Sequence, residues 1–442
     1  MPSASRRPTR YTGRMTSPSI DSHLTGYSSP VAPGITAAFG ACCAMLATAY
    51  VLHFPGLSLP GGVVGLAMLA AAAVALVTLL GPSGRASVVK AGLLAGALLG
   101  LVSLVAMGAY FAELSQKDEL PALGQLIAMC SGWITFTSLF GLVAGLVSRR
   151  TASDAPRAAS DWLPRMGGIA LVATLMVLAA GGVVTAAEAG MAVPDWPGTF
   201  GANMFLYPLS KMTGGVYFEH AHRLLGAFTG LSTIAFLLLA VLYGRTRLLK
   251  VLSVVAFVHV SLQGYAGGMR VEADSQVLAM LHGISAIVFF AFLAVLTLMS
   301  TRSWSEAPKA KASVGLAIGA LVVLFIQIVF GAVARHFPDS LHGVMTHAGF
   351  SLVAAGVITA AGAKSSRHEN PLLARLGKSC VHTVGLQMLL GVAALGVFFM
   401  TRSAETPPAY DLAVTTTHQV IGALLFSLTA LLAVWSVRLS RA

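Results

Sequence analysis

Charge is what this chain of 442 residues has least of: Asp, Glu, Lys and Arg make up 10% of it, against 56% hydrophobic residues and a mean hydropathy of +0.80. Soluble domains carry about a quarter charged residues, and a water-exposed fold this apolar would present patches that aggregate. A soluble globular fold is therefore excluded. The bilayer, which tolerates apolar surface all round a helix, is the medium that fits. Cysteine is scarce too. Cys42, Cys43, Cys130 and Cys380 lie in or beside apolar runs and form no C-x-x-C. They imply no disulfide framework and read as small buried hydrophobes. A basic stripe is also missing. The net charge of +12 is spread over short loops between apolar runs, the pattern of a membrane protein and not of a nucleic-acid binder.

What the chain has in quantity is the apolar run of about 20 residues that spans a bilayer. Twelve such runs are expected as helices: 34–54, 61–81, 88–112, 122–147, 166–187, 217–243, 248–267, 277–300, 312–334, 342–363, 376–400 and 411–437. The fold class is an all-α polytopic membrane protein. Alternate loops hold 22 of the Lys and Arg residues, the other loops hold Lys117, Lys211, Arg270, Arg335 and Arg402, and Arg223 lies inside a helix. The positive-inside rule then puts both ends of the chain in the cytoplasm. Residues 1–32, rich in Ser and Arg, read as a cytoplasmic tail; the same composition fits a mitochondrial transit peptide. A polar stretch at 149–165 divides the helices into a four-helix segment, 33–148, and eight further helices. Those eight divide again into 166–300 and 312–437.

Ionisable residues are costly inside a membrane, which makes them functional candidates. Of the twelve histidines, four occupy equivalent places. His222, His282, His347 and His418 each lie a short way into the second, fourth, sixth and eighth of the last eight helices. Neutral imidazole is a common metal ligand, and paired histidines hold haem in helical bundles. The expectation is two pairs, His222 with His282 and His347 with His418, each ligating one iron. Gln263, Gln327 and Gln387 open three Q-x-x-x-G segments near the outer ends of the intervening helices. They are candidates for bonding haem propionates or one another; a small-residue packing face with a polar clamp explains them equally. The registers together describe two parallel four-helix repeats.

The repeats differ in one respect. The first carries Glu219-His220-Ala221-His222-Arg223, while the second reads Met345-Thr346-His347-Ala348-Gly349 with no acid. Glu219 shares a face with His222 and is the candidate catalytic acid; an interfacial pairing with Arg223 or Lys211 is the alternative. The long loop that precedes it, with Pro194-Asp195-Trp196-Pro197, reads as an ordered lid, as an interfacial anchor, or as both. The remaining histidines are weaker candidates: His220 is expected on a different helix face, His342 at a helix mouth, His336 in an outer loop, His368 and His382 on the cytoplasmic side, His23 in the tail, His259 packed mid-helix, and His53 without a visible partner.

Over about residues 166–437 the sequence resembles the haem A synthase family. The resemblance rests on Gly181-Gly182-Val183-Val184-Thr185, the Pro194–Pro197 loop, Glu219–Arg223, the Q-x-x-x-G segments, and His282, His347 and His418-Gln419. It implies oxidation of a methyl group of haem O to a formyl group, giving haem A for cytochrome c oxidase. It also implies substrate haem O at His222 and His282, a haem b cofactor at His347 and His418, and Glu219 as catalytic acid. The implied setting is the bacterial inner membrane, with lipid, a haem O synthase, an electron acceptor and a second copy of the chain as partners. Two departures stand out: the first outer loop lacks the cysteine pair that many members have, and Ala186 stands where many have arginine. The four N-terminal helices lie outside the family pattern. Two other readings share the same features. A di-haem b electron conduit oxidising quinol shares the histidines, and a twelve-helix transporter shares the helix count.

Overall fold

The computed structural model describes residues 29–57, 59–114, 122–154, 157–337, 339–401 and 406–441. Most of the expected tail, two linker residues, and Lys117 and Arg402 of the outer loops lie outside the described residues. Among those described, twelve helices are long and apolar enough to cross a membrane. They are α1 (Val31–Leu52), α2 (Gly61–Leu80), α3 (Val88–Leu114), α4 (Leu123–Ser148), α5 (Leu163–Ala186), α6 (Gly214–Tyr243), α7 (Arg247–Glu272) and α8 (Gln276–Met299), then α10 (Val314–His336), α11 (Leu341–Ser366), α12 (Pro371–Thr401) and α13 (Ala409–Arg441); α9 is a single turn, Arg302–Ser305. The chain is a multi-pass membrane protein.

Several helices outrun their apolar cores. α12 begins five residues before the expected start at 376, because Pro371 suits the first helical turn and the Asn370 side chain caps the Leu373 amide at 3.1 Å. α7 continues past 267 to Glu272, and His336, expected in a loop, is the last residue of α10. An apolar run measures the hydrocarbon-facing stretch, whereas backbone hydrogen bonding continues into the headgroup layer.

The loops gather in two layers, as alternating passage requires. In one, Arg85 pairs with Asp154 at 3.3 Å, Asp161 bridges Arg245 at 3.0 Å and Arg302, and the Ala310 amide donates to Leu439 at 2.9 Å. In the other, Ser210 meets Glu113, the Trp196 amide meets Glu272, and Thr401 meets Asp411. The loops rich in Lys and Arg fall in the first layer.

Helices α5 to α8 pack in a closed ring of neighbours, and α10 to α13 do the same; α13 joins the two by lying against α5 and α8. The N-terminal helices are not a loose appendage. α1 packs on α5 and α6, α3 packs on α6, and one continuous buried core runs from Ala32 through Trp162 to Leu296. Within that segment α3 and α4 meet along Gly92 and Gly96 against Gly141 and Gly145, where backbones approach too closely to admit a side chain.

Candidate functional site

Each bundle brings two histidines together with their rings at right angles. The rings of His222 on α6 and His282 on α8 have centroids 6.4 Å apart at 87°. Those of His347 on α11 and His418 on α13 lie 6.3 Å apart at 90°. All four are half-buried. Two imidazoles sharing one ion on a common axis, each with a bond of about 2 Å, have centroids roughly 6 Å apart. Among the described residues no group of three or more His, Cys, Asp or Glu gathers around an ion. Two paired histidines, with no third such donor among the described residues, would suit a haem iron. The residues present therefore fit that group.

Each ring leans on a glycine of the preceding helix. A methyl group built on Gly181, Gly267, Gly331 or Gly391 would lie 2.9, 3.1, 2.8 or 3.2 Å from Cε1 of His222, His282, His347 or His418 respectively. The glutamines stand one turn before three of these glycines. The Gln327 amide is 3.1 Å from Nδ1 of His347 and donates to its carbonyl at 3.0 Å; the Gln387 amide is 3.3 Å from both ring nitrogens of His418. The Gln263 amide donates to Ser285 at 2.6 Å, and Ser285 also meets His259 at 3.0 Å. Here the glutamines clamp histidines or a neighbouring serine. The first helix has Val177 in this register, a position the Q-x-x-x-G pattern does not reveal.

Glu219 is buried one turn from His222. Its Oε1 accepts from Arg223 at 2.8 Å and lies 3.9 Å from Arg270, and its Oε2 accepts from the Val193 amide at 3.1 Å. The carboxylate thus joins α6 to the long outer loop. Arg223 continues that junction, donating to the carbonyls of Asp195 at 2.7 Å, Gly198 at 2.8 Å and Val193 at 2.9 Å. Asp195 closes the turn by accepting from the amides of Phe200 and Gly201 at 2.7 and 2.8 Å. Slight burial works against ionisation of Asp195, but the Gly201 and Phe200 amides and Arg223 outweigh it, and the carboxyl sits below its usual range. Trp196 packs edge-on to Tyr265 and against Gly268 of α7. Arg270 ties α7 to the Gly190 carbonyl at 2.6 Å. The loop is a fastened cover over the first bundle.

The weaker histidines divide. His220 does turn to a different face from His222, where it is fully buried under the cover against Thr199 at 3.2 Å and Tyr207. His53, without a partner in the sequence, has one in the fold: its Nε2 lies 3.3 Å from the Tyr110 hydroxyl on α3. His342 is exposed at the start of α11.

The family model for the cytochrome oxidase assembly protein matches residues 165–442. Two curated relatives are similar in sequence. The Heme A synthase of Beijerinckia indica subsp. indica is 30% identical over 227 residues, which cover 43% of this chain and 61% of the relative. The Heme A synthase of Bacillus licheniformis is 28% identical over 190 residues, covering 40% and 60%. The chain thus spans about three fifths of the length of these relatives. No solved structure matches. The family match begins two residues into α5's first turn, takes in both histidine pairs and leaves α1 to α4 outside it. From α5 onward, the chain belongs to the cytochrome oxidase assembly protein family.

Proposed function

We propose that this chain is a haem A synthase, converting the methyl group of haem O to a formyl group to give haem A for cytochrome c oxidase. The observation that carries this reading is the two perpendicular histidine pairs, 6.4 and 6.3 Å between centroids, in two successive bundles. The relatives named Heme A synthase support it. His222 and His282 receive substrate haem O, and His347 and His418 hold a haem b cofactor. When bound, the second haem supplies one-electron redox chemistry. The fastened outer loop keeps water from the first pair. Glu219 is the catalytic acid of the proposal, oriented by Arg223 and faced by Arg270. Gln263, Gln327 and Gln387 hold the ring-bearing helices in register.

The layer rich in Lys and Arg is assigned to the cytoplasm, which puts both ends of this chain there, in a bacterial inner membrane. Haem O reaches the first bundle laterally from lipid. A haem O synthase, an electron acceptor and a second copy of the chain are its proposed partners.

All four histidines lie within the first turns of α6, α8, α11 and α13, helices that start in the same loop layer. A conduit across the membrane needs irons at two depths, so this arrangement disfavours the di-haem electron-carrier reading. Extraction and chromatography of the haems from purified protein test the proposal. Haem b with haem O, a hydroxylated intermediate or haem A supports it. Two haem b per chain with nothing else transfers the reading to an electron conduit, and no haem at all returns the chain to the transporters. Glu219→Ala is expected to retain haem and stop formyl production; Glu219→Gln, which keeps the shape beneath the loop, is expected to do the same. Wild-type rates of haem A formation in both would remove Glu219 from the chemistry.

A further inference from the structure

We infer that Arg335 binds a carboxylate of the haem held in the second bundle and so fixes the orientation of that haem. The inference rests on the haem-ligand reading above. A haem carries two propionate carboxylates on one edge of its ring. Hydrocarbon offers them neither water nor a counter-charge, so that edge has to lie at a membrane surface or against a cation. All four histidines lie near the outer layer, so the cation belongs at the outer mouth of the bundle.

Each bundle has an arginine there, on a helix that backs a histidine ring. Arg270 follows Gly267 by three residues on α7, and Arg335 follows Gly331 by four on α10. At those spacings each arginine shares a face with its glycine. On α10 that face is the inward one, because Gly331 lies against His347 and the Gln327 amide, one turn deeper, bonds the same residue. Arg335 is thus set about 6 Å outward of the glycine that backs the ring. Among the described residues it is the only lysine or arginine at this end of the second bundle.

The two arginines differ in what they hold. Arg270 donates to the Gly190 carbonyl at 2.6 Å and stands 3.9 Å from Glu219, so the cover and a carboxylate take up its charge. Arg335 is exposed and makes no hydrogen bond or ion pair among the described residues. Asp411 and Glu188 attract it from beyond ion-pairing distance, and Asp411 is engaged by the Thr401 hydroxyl at 3.0 Å. Asp411 precedes His418 by seven residues, about two turns, so it stands on the face of α13 that carries that ring. Arg335 and Asp411 therefore flank the mouth above His347 and His418. A guanidinium fork is left for a carboxylate on one side, and an acid repels one on the other. The pair selects one orientation of the ring between them. The bundle whose arginine is free is the one that keeps its haem; the bundle whose arginine is taken is the one from which a substrate has to leave.

Arg335→Gln in the full-length haem-loaded chain tests this. Transfer of one haem to apomyoglobin is expected to quicken by about 10- to 100-fold. The midpoint potential of that haem is expected to fall, since a nearby cation favours the reduced, less positive iron. Arg335→Lys keeps the charge without the fork, and is expected to restore the potential while recovering little of the retention. Should Arg335→Gln not accumulate, the retention of Arg335→Lys is read alone. Arg375→Gln, which removes an exposed arginine from the opposite end of the same bundle, is expected to change neither quantity. Retention and potential unchanged at position 335, with bis-histidine haem present in the wild type, overturn the inference and leave the proposed function standing. Loss of co-purifying phospholipid from Arg335→Gln, with its haem unchanged, assigns the arginine to a headgroup phosphate and overturns the inference equally. Absence of a bis-histidine signal from the wild type overturns both.

Discussion

Arg223 uses the fork geometry of its guanidinium on three loop carbonyls and one carboxylate, all within 2.9 Å. Lysine has neither the planar fork nor enough donors in one plane to do this. Arg223→Lys is therefore expected to loosen the outer loop almost as much as Arg223→Met, seen as faster proteolysis between 190 and 212. Arg223→Met also leaves Glu219 buried, with Arg270 at 3.9 Å as its remaining cation; removing one partner of a buried pair costs about 3–5 kcal/mol, and thermal unfolding should register it. Asp195 gives the loop a pH dependence of known sign. Its folded carboxyl is held below the usual range, so its contribution is complete above about pH 4, where the unfolded carboxyl is ionised. It is lost as pH falls through the lowered folded value. Hydrogen exchange at Phe200 and Gly201 should stay slow near neutral pH and rise in acid, and Asp195→Asn should flatten that rise. The i, i+4 spacing of Glu219 and Arg223 made their pairing legible in the sequence. Their loop carbonyl partners were not legible, since nothing in a residue's identity says which backbone group will face it.

At the scale of elements, the outer end of α3 grips the cover. Glu113 accepts from the Ser210 amide at 3.0 Å and from its hydroxyl at 2.7 Å, and the Phe205 carbonyl lies against Gly108. A helix outside the family match thus helps to hold the loop over the proposed substrate site. Hydrogen bonds to a charged group contribute about 1.5 kcal/mol at the low end, the end that suits this exposed rim. Glu113→Ala should therefore raise loop opening roughly tenfold, measured by hydrogen exchange over 204–212, with a higher KM for haem O and little change in haem b content. Unchanged exchange would mean that the contact carries no load. The position of every spanning helix was legible from its apolar run, since bilayer thickness leaves few alternatives to a run of this length. The Q-x-x-x-G register exposed three of the four helices whose glycines the histidine rings lie against. The fourth escaped because its contribution comes from the Val177 backbone, which side-chain patterns do not record. His53 and Tyr110 meet across 57 positions of chain, a pairing that helix packing alone creates.

At the scale of the whole molecule, each bundle closes on its own pair of histidines, and the second has a buried core of its own to which α8 adds Ala291. His347→Ala is accordingly expected to abolish one haem signal and spare binding at His222 and His282, and His222→Ala the converse, as read by haem stoichiometry and EPR. Simultaneous loss of both signals from either variant would show that the bundles fold as one unit. By itself the sequence determined the membrane setting, the twelve spans, the two-layer arrangement of loops and the place of the four histidines near the starts of their helices. These follow from hydropathy and spacing, which act along the chain. Only the tertiary structure decided that the rings meet at right angles, that the glutamines clamp histidines or Ser285, that Glu219 is tied to the outer loop, and that α1 to α4 share a core with the first bundle. Those outcomes depend on which helix faces lie together and how closely their backbones approach, and packing sets both only when all the helices are in place.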